Sequence, residues 1–232
     1  MKIALIGHGS MGQLIERLAR KKGNEITTVV DESRSAWAAA ELAEQLRTAD
    51  VAIDFTTAEA VRRNVEACLI AGVPLVEGTT GWNDRRAEIR TIVNDAGGSL
   101  VFGANFSIGV NLFYRVTDFA AELFSKFSDY EVFIEEQHHS RKKDAPSGTA
   151  LKLKEVVARH VNDDFSITAT RAGNIPGTHR VGFDGPADQI LLEHAARSRE
   201  GFAAGALMAA DWIVGKKGFY EFTDVMDEIV SR

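Results

Sequence analysis

An α/β fold follows from two observations in the first 106 residues: short apolar runs of strand type recur, and stretches of helical length separate them. Strands joined by helices of about 10–15 residues imply right-handed crossovers, hence a parallel sheet with helices on both faces. A third observation is the change of pattern after Phe106, where several strands follow without intervening helices. That predicts a second, smaller α+β unit with a mixed sheet.

In order, KIALIG at 2–7 is the first strand, and Met11, Leu14, Ile15, Leu18 and Ala19 then recur at helical spacing. Residues 25–30 form a second strand ending at Asp31, an Ala-rich helix spans 36–47, and VAIDF at 51–55 is the third strand. A helix at 58–71, a strand at 74–77, a helix near 83–96 and a strand at 99–103 complete the series. Beyond it come a long helix at 109–126, a strand at 130–137, a helix at 149–161 and strands at 166–171, 179–184 and 189–196. From Gly201 the chain is helical again, with Ala206, Leu207, Ala210 and Ile213 on one face, and is expected to return to the first domain. The expected boundaries are 1–106, joined by 207–232, and 107–206.

Composition narrows the function. A net charge of −6 argues against a nucleic-acid binder held by bulk electrostatics, so local positive charge must be read as a site. The single cysteine, Cys68, lies in an apolar helical run and excludes a disulfide framework or a Cys-rich metal site; no metal is expected. The N-terminus has no signal-peptide layout, and no apolar stretch approaches the ~18 residues of a membrane span. A cytoplasmic protein without a membrane partner is expected.

Two motifs carry chemistry. GHGSMG at 7–12 links the first strand to the first helix. Gly7 and Gly9 permit a tight turn and close approach to a pyrophosphate, Gly12 lets helix and strand touch, and the helix N-terminus faces the phosphates. Asp31, 24 residues beyond Gly7, stands where a carboxylate grips ribose hydroxyls. GTTG at 78–81 and GANFS at 103–107 fall at later strand ends, where ligands bind on such sheets. The second motif is EEQHHSRKKDAPSGTA at 135–150, a strand end that delivers acids and cations to a helix start. His138 and His139 can exchange protons near neutral pH, Lys142 lies four residues past His138, and Gly148 and Thr149 offer amides and a hydroxyl to a carboxylate or phosphate. These groups describe a receptor for a small anion next to a proton donor.

IDFT at 53–56, GTTG at 78–81, ANFSIGVN at 104–111, HHSRKKDAPSGTA at 138–150 and RAGNIPGTH at 171–179 resemble, in order, the sequence blocks of the 4-hydroxy-tetrahydrodipicolinate reductase (dihydrodipicolinate reductase) family. The resemblance implies an N-terminal Rossmann-type domain and a substrate domain that also assembles a homotetramer. It further implies reduction of a cyclic dicarboxylate, 4-hydroxy-tetrahydrodipicolinate, to tetrahydrodipicolinate with loss of water, in lysine and diaminopimelate biosynthesis, using NADH or NADPH. Carried over by position, His138 is the proton donor, Lys142 a second donor or carboxylate ligand, and His139, Gly148 and Thr149 hold the substrate. Gly7, His8, Gly9, Ser10, Met11, Gly12, Asp31, Gly78, Thr79, Thr80, Gly103, Ala104, Asn105 and Phe106 meet the cofactor. The segment between the 149–161 helix and RAGNIPGTH is shorter than in many relatives. Where members accepting NADPH often carry Arg after the ribose-binding acid, this chain has Glu32, which should repel a 2′-phosphate and favour NADH; Arg34 softens that effect. Two rival functions remain: another Rossmann dehydrogenase acting on a small carboxylate, which has no need of HHxxxK joined to DAPSGTA, and a non-enzymatic NAD-sensing module, which gains nothing from paired acids beside an anion pocket.

Overall fold

The computed structural model describes residues 1–162 and 164–231, divided into one unit of Met1–Ile108 with Glu200–Arg232 and a second of Gly109–Arg199. In the first unit the chain runs β1 (Lys2–Ile6), α1 (Ser10–Lys21), β2 (Glu25–Val30), α2 (Ala39–Leu46), β3 (Val51–Asp54), α3 (Val61–Ala71), β4 (Leu75–Glu77), α4 (Arg86–Asp95) and β5 (Ser99–Phe102). The second unit takes α5 (Ile108–Phe124), β6 (Glu131–His138), α6 (Gly148–Val157), β7 (Ile167–Arg171), β8 (Thr178–Asp184) and β9 (Gln189–Ala195). The chain then returns to the first as α7 (Glu200–Ile213), β10 (Gly218–Glu221) and α8 (Phe222–Val230).

The first sheet has the order β2-β1-β3-β4-β5-β10 and every pairing in it is parallel. Strand alternation sends Ile3, Leu5, Val51, Ile53, Val76 and Val101 into a core with α1, α7 and α8. Ala4, Ile6, Ala52, Leu75, Leu100 and Phe102 join α2, α3 and α4 on the opposite face. Both faces are covered, so these strands are apolar throughout instead of alternating with polar residues. The connections leave β1 in opposite directions, β2 on one side and β3 on the other. Such a reversal opens a crevice at the carboxyl ends of the two central strands.

The C-terminal segment differs from the single helix expected of it. Gly215 and Gly218 both have positive φ (80° and 129°), which ends α7 and turns the chain into β10, the sixth strand, paired with β5 from Gly218↔Ser99. A four-residue strand is too short for its alternation to register in sequence, and tertiary pairing decides its state. The expected helix at 36–47 begins only at Ala39, after Ala38, whose backbone is extended and whose amide donates to Glu41 Oε2 at 2.8 Å; a separate 3-10 turn at Glu32–Arg34 is capped by Asp31. The helix expected to reach 161 stops at Val157, where tight turns such as His160 N→Val157 O (3.0 Å) take over.

The second sheet has the order β7-β6-β8-β9, with β6 parallel to β7 and antiparallel to β8, and β8 antiparallel to β9. Its core joins Ile134, Val181 and Phe183 from the strands to Phe113 and Ala121 of α5 and Leu153 and Val157 of α6. Phe124 and Phe183 stack with ring centroids 4.4 Å apart.

Candidate functional site

Parallel pairing puts the carboxyl ends of β1 to β5 on one edge of the first unit, where Gly7, Asp31, Phe55, Gly78 and Gly103 follow their strands directly. Gly7 has φ 91°, and a Cβ there would lie 2.3 Å from the Phe55 carbonyl oxygen. A Cβ on Gly12 would fall 2.1 Å from the Gly7 carbonyl oxygen, so α1 lies directly against the turn. Gly9 is the N-cap of α1, without a side-chain cap, and a Cβ there would meet nothing within 4 Å. This bare, open helix end with its partial positive charge fits a pyrophosphate.

Other expected cofactor residues occupy the same edge with varied freedom. Asp31 Oδ1 accepts from Ser33 N (3.1 Å) and Ser33 Oγ (2.5 Å), and the Ser33 hydroxyl holds this exposed carboxyl below its ordinary range. Thr79 is committed inward: Oγ1 accepts from Thr56 N (3.0 Å) and its amide donates to Glu77 Oε1 (2.7 Å), while Thr80 is exposed. His8 pairs with Glu16 at 2.7 Å, Ser10 opens α1, and Met11 packs against the core. Asn105 Oδ1 accepts from Ser107 N (2.8 Å), Ala104 is exposed, and the Phe106 ring is buried 4.7 Å from Phe222. Phe106 therefore has only its backbone to offer a ligand.

The second unit holds a tighter cluster. Alternation along β6 sends Ile134, Glu136 and His138 to the buried face, and register places Glu136 opposite His179 of β8. Glu136 is the hub. Its Oε1 accepts from Ser147 N (2.9 Å) and Arg171 Nη2 (2.6 Å), while Oε2 lies 3.4 Å from His138 Nδ1 and 3.6 Å from His179 Nε2. Ser147 Oγ in turn stands 3.2 Å from His179 Nε2 and caps α6 by accepting from Ala150 N (3.2 Å). One carboxylate thus ties the imidazoles to the start of the helix that carries Gly148 and Thr149.

Electrostatics follow from this packing. Burial works to raise the Glu136 carboxyl, but the Ser147 and Arg171 hydrogen bonds hold it below its ordinary value, so it is ionised. Burial pushes the His138 imidazole below its usual value against the pull of Glu136, with Lys142 and Arg171 adding to the decrease. Burial takes His179 down to about 4, so it is a neutral hydrogen-bonding group near pH 7. Lys142 Nζ reaches both oxygens of Asp144, at 2.8 and 2.9 Å. Thr149 is hydrogen-bonded to Tyr114, whose phenol burial raises to about 12. Gly148 is exposed at the helix start, and His139 is half-buried with no hydrogen-bond partner for its Nδ1 among the described residues.

Glu136, His138 and His179 could each offer a metal one atom within 4.8 Å of the others. The Arg171 guanidinium on the same carboxylate and nearby Lys142 favour an anion there instead. Glu136, Arg171, His179 and Tyr114 were not among the residues singled out from sequence, and Ser147 was read there only as part of the helix start. The detectable signal was the two-residue spacing of Glu136 and His138; the roles of Arg171 and His179 depend on strand register.

Two family models cover the chain: "Dihydrodipicolinate reductase, N-terminus" matches residues 1–106 and "Dihydrodipicolinate reductase, C-terminus" matches 109–226. The chain belongs to the dihydrodipicolinate reductase family. Among curated relatives, a 4-hydroxy-tetrahydrodipicolinate reductase of Christiangramia forsetii is 35% identical, with 100% of each chain covered. Another, of Archaeoglobus fulgidus, is 36% identical over 98% of this chain and 100% of its own. A dipicolinate-bound dihydrodipicolinate reductase structure from Paenisporosarcina sp. TG-14 superposes with a TM-score of 0.78 at 24% identity, covering 95% of this chain and 97% of that one. Family members use a pyridine nucleotide, which fits the glycine cradle at Gly7 and Gly12. Among the described residues no helix is long and apolar enough to cross a membrane.

Proposed function

We propose that this chain reduces 4-hydroxy-tetrahydrodipicolinate to tetrahydrodipicolinate with NADH or NADPH, releasing water, as a step of lysine and diaminopimelate biosynthesis in the cytoplasm. The observation that carries the site is the buried imidazole of His138 beside ionised Glu136, in a cationic cluster that ends at the start of α6. The reaction consumes one reduced nucleotide, one proton and the cyclic substrate, and yields oxidised nucleotide, product and one water.

The first unit, Met1–Ile108 with Glu200–Arg232, binds the nucleotide, and the second, Gly109–Arg199, binds the substrate. The nucleotide supplies a hydride to a ring carbon, which leaves the neighbouring position in need of a proton. His138 delivers it, with Glu136 stabilising the imidazolium before transfer. A bound dianion opposes the lowering of the His138 value by burial and so favours the protonated acid. Gly148 and Thr149 receive a carboxylate at the start of α6, and His139 is a further substrate ligand. Lys142, already paired with Asp144, holds charge near the site and is the second candidate donor. On the nucleotide side, Gly7, Gly9 and Gly12 admit the pyrophosphate, and Asp31 binds ribose.

The nucleotide is NADH by preference. Glu32 is exposed next to Asp31, while Arg34, the cation able to offset it, donates to Val29 O (2.5 Å) and lies over the Trp37 ring at 5.2 Å. Two carboxylates beside the ribose repel a 2′-phosphate. A coupled assay with freshly generated substrate, run with each nucleotide, tests both claims. Stoichiometric, substrate-dependent NADH oxidation supports the reductase, and a higher kcat/KM with NADPH would refute the preference. A nucleotide sensor would leave NADH unconsumed.

The functional unit is a homotetramer. Leu112, Val116, Phe119 and Leu123 form an exposed apolar stripe at helical spacing on α5, and Ile190 and Leu191 are exposed on β9. Apolar surface arranged in this way marks an interface. Light scattering should return four times the 25.3 kDa chain mass, and a monomer at assay concentration would overturn the assignment.

A further inference from the structure

The chemistry above leaves two buried carboxyl groups unused. Asp54 ends β3, Glu77 ends β4, and the two are register partners with 0% exposure each. Asp54 Oδ2 accepts from Asn64 Nδ2 at 2.6 Å, and Glu77 Oε1 accepts from Thr79 N at 2.7 Å. Their remaining oxygens, Asp54 Oδ1 and Glu77 Oε2, are buried without a hydrogen-bond partner among the described residues, and the register of β3 and β4 brings the two carboxyl groups side by side. Two ionised carboxylates cannot hydrogen-bond to each other, whereas a carboxylic acid and a carboxylate can, and one shared proton would satisfy both orphaned oxygens. Two charges side by side at a dry strand end would also repel each other strongly.

We propose that Asp54 and Glu77 hold one proton between them, carried on Glu77, and that this proton keeps the carboxyl edge of the first unit in the form that receives the nucleotide. The positioning role rests on the nucleotide assignment made above. The pair fastens that edge through a closed network. Glu77 holds the Thr79 amide, Thr79 Oγ1 holds the Thr56 amide, and Asn64, anchored by Asp54, donates to Thr56 Oγ1 at 3.2 Å. Thr79 O also accepts from Trp82 Nε1 at 2.7 Å. The segments so fixed are those that flank Gly7 and form the turn at 78–80, both on the expected cofactor face.

Burial raises both carboxyl groups, and the Asp54 charge raises Glu77 further. From α3, Asn64 and the Arg63 charge favour ionised Asp54, while burial, with the Asp54 charge, keeps the Cys68 thiol neutral. Thr56 and Thr79 face the pair without charge. The unfolded chain releases the Glu77 proton near ~4.3, so stability declines as pH rises from there toward the raised folded value. Ionisation within the folded chain removes the link between β3 and β4 and loosens the turn.

The test uses the intact chain and two isosteric variants. In Glu77→Gln, Oε1 still accepts from Thr79 N and the amide donates to Asp54, with no proton to lose. Asp54→Asn is its mirror, donating to an ionised Glu77. Nucleotide affinity is read from quenching of tryptophan fluorescence by NADH between about pH 7 and about pH 9.5. Protonation is read from the carboxylic-acid C=O band in infrared difference spectra against each variant. We expect the band in the native chain at neutral pH, an alkaline rise in Kd of about fivefold or more, and a flat profile in both variants. Absence of the band, or variants that track the native alkaline rise, would overturn the proposal. Failure of NADH to bind at any pH would overturn the nucleotide assignment and the positioning role with it, while the infrared band still decides the shared proton.

Discussion

His138→Gln lowers kcat by about 10²–10⁴-fold, the usual loss for a general acid, while KM for the cyclic substrate moves much less. Glutamine is close in size to the imidazole and can hydrogen-bond to Glu136, so packing between β6 and β8 survives. It cannot release a proton to carbon on the time scale of turnover. The pH dependence carries the same signature. Burial depresses His138 in the free chain, and a general acid acts in its protonated form. Native kcat/KM therefore falls as pH rises through a value below the ordinary imidazole range, and kcat, measured with the dianion bound, holds to higher pH. The variant loses both limbs. A kcat within about tenfold of native would remove His138 from the role and leave Lys142 as the donor.

Gly7→Ala destabilises the first unit by roughly 1–3 kcal/mol, because the turn needs φ 91° and the new Cβ would sit 2.3 Å from the Phe55 carbonyl oxygen. Nucleotide affinity falls with it by about tenfold or more, since each ~1.4 kcal/mol of mispositioning is a factor of ten. Gly9→Ala separates the fold from the ligand. Its φ is −72° and a Cβ there meets no protein atom within 4 Å, so Tm should hold while the methyl still obstructs the pyrophosphate. Thermal melts and NADH titrations of both variants check this. Native affinity in Gly9→Ala would show that the turn does not carry the phosphates.

The parallel sheet and its glycine turn were legible because strand and helix periods are local and because Gly7, Gly9 and Gly12 answer to backbone geometry within a few residues. The start of α6 was legible for the same reason: Ser147, Gly148 and Thr149 carry a helix-start pattern in consecutive positions. The break at Gly215 and strand β10 were not, since four residues have too little pattern to oppose a helix until β5 offers them a pairing edge. The hub carboxylate was hidden among neighbours. Glu135 and Glu136 are adjacent and chemically equivalent, and only the pleat of β6 buries one of them.

Taken alone, the sequence determined the α/β class and the glycine turn after β1, and it pointed to the stretch 135–150 as an anion site with a proton donor, because each depends on residues adjacent in the chain. Tertiary structure decided what governs that donor. Arg171 and His179 reach Glu136 only through the registers of β7 and β8, and Asp54 meets Glu77 only through that of β3 and β4. The physical reason is range: backbone preferences act over a few residues, whereas desolvation and the sharing of a proton depend on groups that the fold brings together from distant positions.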